Sequence, residues 1–290
     1  VSLTQTAPRF ASLFTEPRSR PIGVFDSGVG GLTVLAALRE VLPGESLIYL
    51  GDTARLPYGT KSFSTVTRYA IQAARVLVDQ GIKLLVVACN TASALALDDL
   101  AIEFYDVPVI GVLRPGADAA CLGSTTGRIA VIATESTTSH GAYEREIRRI
   151  RPDARVVSRA CSLFVALVEE GWTKGPIVTA VAREYLDPIF AGVGGGVGAP
   201  DSLVLGCTHF PALAETLQEV VGPEVLIVDS ARTTAEAVRE ELIKRHLARD
   251  GEGAPTIRLM ATDSPARFAR VAAHLIPREI LPDTIELIDL

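Results

Sequence analysis

Leu85-Val86-Val87-Ala88-Cys89-Asn90-Thr91 runs into Ala94-Leu95, and Leu203-Val204-Leu205-Gly206-Cys207-Thr208 runs into Ala212-Leu213. Each is a short apolar run that ends at a small residue, then a cysteine, then hydroxyl or amide side chains at the start of a helix-like segment. Apolar runs of this length bounded by such signals read as buried strands of a parallel sheet. Two matched devices more than a hundred residues apart imply two half-molecules built alike. If the halves face each other, one cleft carries a sulfur on each wall. Chemistry that must act on both faces of one carbon needs that arrangement.

Working outward, β-branched runs alternate with longer amphipathic stretches, the pattern of an α/β chain with largely parallel sheets. The spacing predicts strands at Ile22–Phe25, Leu47–Leu50, Leu84–Ala88 and Val109–Val112, with helices over Leu32–Val41 and from Ser62 to Asp79. A second series begins near Arg114-Pro115-Gly116. It predicts strands at Ile129–Ile132, Val156-Val157, Leu203–Leu205 and Val225–Val228, and helices over Gly141–Arg149, Leu163–Glu170 and Ile177–Phe190. Thr134 to Ser139 reads as a hydroxyl-rich loop, and Gly192 to Pro200 as a glycine-rich surface connector. A long helix to Leu247, a strand Ile257–Met260, a helix Pro265–Leu275 and a strand Ile285–Ile288 complete the series. We divide the chain into a flexible leader 1–20, one α/β domain of 21–113 plus 228–290 carrying Asp26 and Cys89, and a second of 114–227 carrying Cys207.

In open parallel sheets, ligands bind beyond the carboxyl ends of the strands. Asp26-Ser27, Asp52, Cys89-Asn90-Thr91, Thr134 to Ser139 and Cys207-Thr208-His209 all fall at such ends. A thiol directly before a helix sits at the positive end of its dipole, which favours thiolate and lowers its pKa. A single cysteine is more often a small buried hydrophobe, and Cys121 and Cys161 are assigned that role. The duplication separates Cys89 and Cys207 from it. His209 stands two residues beyond Cys207, where an imidazole can orient or protonate the thiol. Asp26 opens Asp-Ser-Gly-Val-Gly-Gly, and its carboxylate serves either as a helix cap or as a positioning group.

The 290 residues carry a net charge of −6 and 48% hydrophobic side chains, which argues against a phosphate-backbone binder. No apolar run approaches bilayer length. Four cysteines without a Cys-x-x-Cys pair make neither a disulfide framework nor a zinc site, so a reducing, cytoplasmic setting follows. No fingerprint for a dinucleotide, pyridoxal phosphate or a metal is present.

Four strings occur in order: Phe25-Asp26-Ser27-Gly28-Val29-Gly30-Gly31, Gly51-Asp52-Thr53-Ala54-Arg55-Leu56-Pro57-Tyr58-Gly59, Ala88-Cys89-Asn90-Thr91-Ala92-Ser93 and Gly206-Cys207-Thr208-His209-Phe210-Pro211. From about Pro21 to Leu247 the chain resembles the bacterial glutamate racemases of the aspartate/glutamate racemase family. The resemblance implies two α/β domains related by pseudo-twofold symmetry, with the active site in the cleft between them. It implies cofactor-independent interconversion of L- and D-glutamate for peptidoglycan, a small-molecule substrate, and a homodimer without nucleic-acid or membrane partners. Catalytic roles carry over to Cys89 and Cys207, assisted by Asp26 and His209 respectively. By the same pattern Cys89 serves D-glutamate and Cys207 L-glutamate. Substrate contacts carry over to Asp26, Ser27, Tyr58, Gly59, Asn90, Thr91, Thr134, Thr208 and His209. An acidic residue assists in some relatives. Here the stretch Ala160 to Glu169 is similar but looser, with Ala166 where proline is common, so the role of Glu169 stays open. Two other readings also stay open. One is an aspartate or other amino-acid racemase of the same family. The other is a non-enzymatic amino-acid-binding protein, which would be expected to have lost a thiol or the Asp26 loop.

Overall fold

The computed structural model describes residues 16–190, 198–250, 254–277, 280 and 284–290. Among the described residues, ten strands form two sheets. The first is six-stranded and wholly parallel, built from β1 (Ile22–Asp26), β2 (Leu47–Gly51), β3 (Leu84–Val87), β4 (Val109–Gly111), β9 (Ile257–Ala261) and β10 (Ile285–Leu287) in the order β10-β9-β2-β1-β3-β4. The second is four-stranded and also parallel, with β5 (Arg128–Ala133), β6 (Arg155–Ala160), β7 (Ser202–Gly206) and β8 (Leu226–Asp229) in the order β6-β5-β7-β8.

Helices cover both faces of each sheet, as parallel strands require. In the six-stranded body α1 (Leu32–Val41), α11 (Ser230–Lys244) and α12 (Pro265–Leu275) pack on one face through Leu35, Leu38, Ala235, Val238 and Phe268. The opposite face is covered by α2 (Phe63–Asp79), α3 (Asn90–Leu95) and α4 (Leu97–Glu103), through Ala70, Ala74, Leu77, Leu95 and Leu100. In the four-stranded body α8 (Leu163–Glu169), α9 (Pro176–Phe190) and α10 (Ala214–Val221) bury Phe164, Leu186 and Leu217 on one face. On the other, α5 (Leu113–Gly123) and α7 (Ala142–Ile150) bury Ala117, Tyr143 and Ile147. The chain passes from the first body to the second through β4 and α5, and returns through β8 and α11.

Two segments differ from the sequence expectation. Arg114-Pro115-Gly116, near which the second series is expected to begin, lies inside α5, a helix the sequence reading does not include. Pro115 is in the first turn, where its missing N–H is not needed by the helix. The hydroxyl-rich run after Thr134 is α6 (Glu135–His140), closed by Gly141 in the left-handed region at φ 67°. Of the leader, residues 1–15 lie outside the described residues, as does 191–197 of the glycine-rich connector. Residues 16–20 are tethered. Pro17–Ser19 forms a 3₁₀ turn whose Arg18 carbonyl accepts from Lys83 Nζ at 2.8 Å.

That lysine is the centre of a buried clamp. Its ammonium also donates to the Leu247 carbonyl at 2.8 Å and pairs with Glu45 at 2.6 Å, with side-chain exposures of 1% and 4%. Glu45 in turn accepts the Arg249 backbone N–H at 2.9 Å. Four separate stretches of chain are thus joined below the six-stranded sheet. Lys83→Met leaves a buried carboxylate without its cation and is expected to lower stability by about 3–5 kcal/mol, read by urea unfolding.

Candidate functional site

The sequence reading put five loops on one rim, and the structure brings the ends of β1, β3, β5 and β7 against one another. Asp26 ends β1 and is 1% exposed. Its Oδ2 accepts the Gly28 N–H at 3.0 Å, while Oδ1 is buried without a hydrogen-bond partner among the described residues. Burial pushes this carboxyl above the usual range, opposed by the charge of His209 and the N–H groups of Gly31, Gly28 and Ser27. Across the sheet, Cys89 is the N-cap of α3. Its Sγ accepts the Ala92 N–H at 3.4 Å and donates to Ser27 Oγ at 3.4 Å.

The helix terminus does not make Cys89 an acidic thiol. Burial and the nearby Asp26 carboxylate push it up to about 12, against the help of Ser27 and Ala92, and Cys207 adds to the rise. This reverses the expectation from helix position alone. One six-residue helix supplies too little positive potential to offset removal from water.

The opposite wall is organised around an imidazole. His209 Nδ1 lies 3.8 Å from Cys207 Sγ, and Nε2 faces Glu169 Oε1 at 3.4 Å. Burial opposes a charge on this ring. The contacts with Cys207 and with the Glu169 carboxylate, together with the charges of Cys207 and Asp26, outweigh it and raise His209 to about 10. Glu169 is held below the usual carboxylate range by its bond with His209 first, and by Arg267 besides. His209 is therefore expected to remain cationic through neutral pH. The stability its charge contributes is full below the unfolded imidazole value of about 6.5 and is lost as pH rises through about 10. Imidazole NMR titration and urea unfolding at stepped pH measure both.

Polar side chains between the walls bond across the two bodies. Thr91 Oγ1 on α3 lies 3.0 Å from both Thr134 Oγ1 and Thr137 Oγ1, which are 3.1 Å from each other. Asn90 Oδ1 accepts from Tyr143 OH at 2.6 Å, and the Thr208 carbonyl accepts from Thr33 Oγ1 at 3.3 Å. Glycines let the walls meet. A Cβ on Gly30 would lie 2.2 Å from Thr208 Oγ1 and 2.6 Å from His209 Nδ1, and one on Gly59 would lie 2.6 Å from Thr134 Cβ. Tyr58 sits beside this contact, but its hydroxyl donates to Asp52 Oδ2 at 2.5 Å and its ring is buried against Phe25 and Tyr69. Its hydroxyl is thus engaged in holding the Asp52 loop.

Both thiols, Asp26, Asn90, Thr91, Thr134, Thr208 and His209 are all at most 8% exposed, so the walls are closed on each other. Thr137 belongs to the Thr134 to Ser139 run that the sequence places on the rim and Glu169 stays open there, whereas nothing in the four quoted strings points to Tyr143 or Arg267. Among the described residues no group of three His, Cys, Asp or Glu could hold a metal ion. None of their helices is long and apolar enough to cross a membrane.

The molecule is of the two-body parallel α/β class with a strand-end thiol in each body, and a sequence model of the family described as Asp/Glu/hydantoin racemase matches residues 31–238. The chain belongs to this family. Its similar relatives within that family are glutamate racemases. That of Geobacter metallireducens is 50% identical over 258 residues, covering 89% of this chain and 93% of the relative. That of Syntrophus aciditrophicus is 44% identical over 264 residues, covering 91% and 95%. Among solved structures, glutamate racemase from Thermus thermophilus in complex with β-chloro-D-alanine superposes with a TM-score of 0.83 at 41% identity, covering 95% of this chain and 99% of that one. The Francisella tularensis enzyme in complex with D-glutamate gives 0.84 at 36% identity, covering 94% and 98%.

Proposed function

We propose that this chain is a glutamate racemase that exchanges the α-proton between Cys89 and Cys207 without a cofactor. The observation that carries the reading is the paired placement of the two thiols, each buried at the end of a parallel strand in its own body and both beside the Asp26–Gly31 loop, which meets Cys89 at Ser27 and the Cys207 loop at Gly30. One sulfur, as thiolate, takes the α-proton from one face of the substrate, and the other, as thiol, returns a proton to the opposite face. Cys89, held protonated by burial, is the resting donor in this scheme. His209 and Glu169 manage the proton on the Cys207 side.

The carbanion formed between the two steps has no electron sink, so fixed dipoles in a dry site must carry its charge. Asp26 Oδ1 is an unsatisfied buried acceptor suited to the substrate ammonium. The hydroxyls of Ser27, Thr91, Thr134 and Thr208, the Asn90 amide and the backbone at Gly59 are suited to its carboxylates. In this reading 21–113 with 228–290 forms one wall and 114–227 the other, except that Val228 and Asp229 complete β8 of the four-stranded body, and parting the walls admits substrate. A cytoplasmic homodimer supplying D-glutamate for peptidoglycan completes the proposal; sedimentation of the purified chain tests the dimer.

Circular dichroism of L-glutamate incubated with the pure protein and no added cofactor tests the function, with L-aspartate in a parallel cell. Decay of the glutamate signal to zero is expected. Decay with aspartate alone would transfer the assignment to an aspartate racemase, and no decay with either would leave a binding protein.

A further inference from the structure

Arg267 is the third residue of α12, in the first turn of that helix. A cation there meets the positive end of the helix dipole, so local helix energetics do not explain it. Its contact does. The guanidinium Nη2 donates to Glu169 Oε2 at 2.9 Å, while the other oxygen of the same carboxylate, Oε1, faces His209 Nε2. Glu169 is 12% exposed and Arg267 52%.

The two ends of this contact belong to different bodies. The next residue, Phe268, is buried in the six-stranded core with its ring edge-on to Tyr49 at 6.0 Å. The Tyr49 hydroxyl donates to the Gly28 carbonyl at 2.9 Å, in the loop that Asp26 opens. Just before α12, Thr262 Oγ1 donates to Asp52 Oδ1 at 3.0 Å and Thr53 Oγ1 donates to the Asp263 carbonyl at 2.7 Å. Arg267 is therefore rigidly referenced to the Asp26 and Asp52 loops of the first wall. Glu169 ends α8, whose Phe164, Leu167 and Val168 are packed in the four-stranded body. His274, two turns along α12 on the same face, lies against Gly171 just past α8 and extends the contact.

We propose that Arg267 is a positioning residue for the second wall: when the bodies close, its guanidinium takes one oxygen of Glu169 and leaves the other to hold His209 against Cys207. This rests on the racemase reading above. The groups facing His209 are Cys207 from its own strand end, Asp26 from β1 and Glu169 from α8, with Arg267 acting through Glu169. Closure and readiness of the Cys207 proton are thereby coupled, because the same carboxylate takes part in both. An open cleft lacks the Arg267 contact, so Glu169 is less firmly held as an anion and grips the imidazole less well.

The test is kcat/KM against pH for wild type, Arg267→Ala and Arg267→Lys, with circular dichroism as the assay and thermal unfolding as the control. Removing the cation favours the protonated form of Glu169, so the acid limb of Arg267→Ala moves to higher pH. Its neutral-pH kcat/KM falls about tenfold. Arg267→Lys recovers most of both. Should alanine fail to fold, Arg267→Gln, which is shorter but keeps a polar donor without the charge, is expected to show the same limb shift. A wild-type acid limb in Arg267→Ala, whatever its unfolding temperature, overturns the inference while the racemase reading stands. A wild-type chain that racemises nothing overturns both.

Discussion

Cys89→Ser and Cys207→Ser are each expected to lower racemisation about 10³-fold, since general acid–base groups contribute roughly 10²–10⁴ and a serine hydroxyl is a far weaker acid than a thiol. The loss applies equally in both directions for kcat/KM. L- and D-glutamate have the same free energy, so no variant can favour one direction in that ratio. Cys89→Ser is the sharper experiment. Serine is a preferred N-cap, so its oxygen takes over the Ala92 N–H and α3 stays anchored. A fold preserved by circular dichroism with activity gone would assign the loss to chemistry. Either serine variant with near wild-type turnover removes the two-thiol mechanism.

Gly30→Ala is expected to lower kcat about 100-fold, the scale associated with misplacing reacting groups by about 1 Å. The added methyl would stand 2.2 Å from Thr208 Oγ1 and 2.8 Å from His209 Cε1, distances that real contacts do not sustain. His209 has little room to retreat, because Glu169 faces its far nitrogen. The walls are therefore held apart at the point where the Asp26 loop meets the Cys207 loop. Overpacking of this kind also costs about 1–3 kcal/mol of stability. The combination to look for is a folded protein with a modest unfolding shift and a large rate loss, measured by urea titration and steady-state kinetics. Near wild-type kcat would show that the walls do not close this tightly during turnover.

How far the sequence was legible follows from how local each signal is. The helices Leu32–Val41 and Pro265–Leu275 match the bounds read from pattern and stop signals, since a Pro-Gly pair ends the first and a proline starts the second. Strands such as β1 and β7 were legible because they are buried on both faces and appear as unbroken apolar runs. α6 was hidden because Thr134 to Ser139 is rich in residues that favour turns. The Thr137 hydroxyl within it and the Thr134 hydroxyl just before it meet Thr91 on the other body, a contact between distant segments that no local pattern carries. Glu169 and Arg267 were not legible as partners because 98 residues separate them, the stretch before Glu169 matches only loosely and no motif surrounds Arg267.

The order of apolar runs, small residues and thiols determined by itself that the chain makes two parallel α/β bodies with a cysteine at a strand end in each. Period and punctuation are properties of neighbouring residues, and they survive without knowledge of the fold. Tertiary structure alone decided the protonation of the site. Burial raised Cys89 where its helix was expected to lower it, and Glu169 with Cys207 raised His209 against burial. Both outcomes depend on removal from water and on charges brought together from distant segments, and those quantities exist only once the chain has closed on itself.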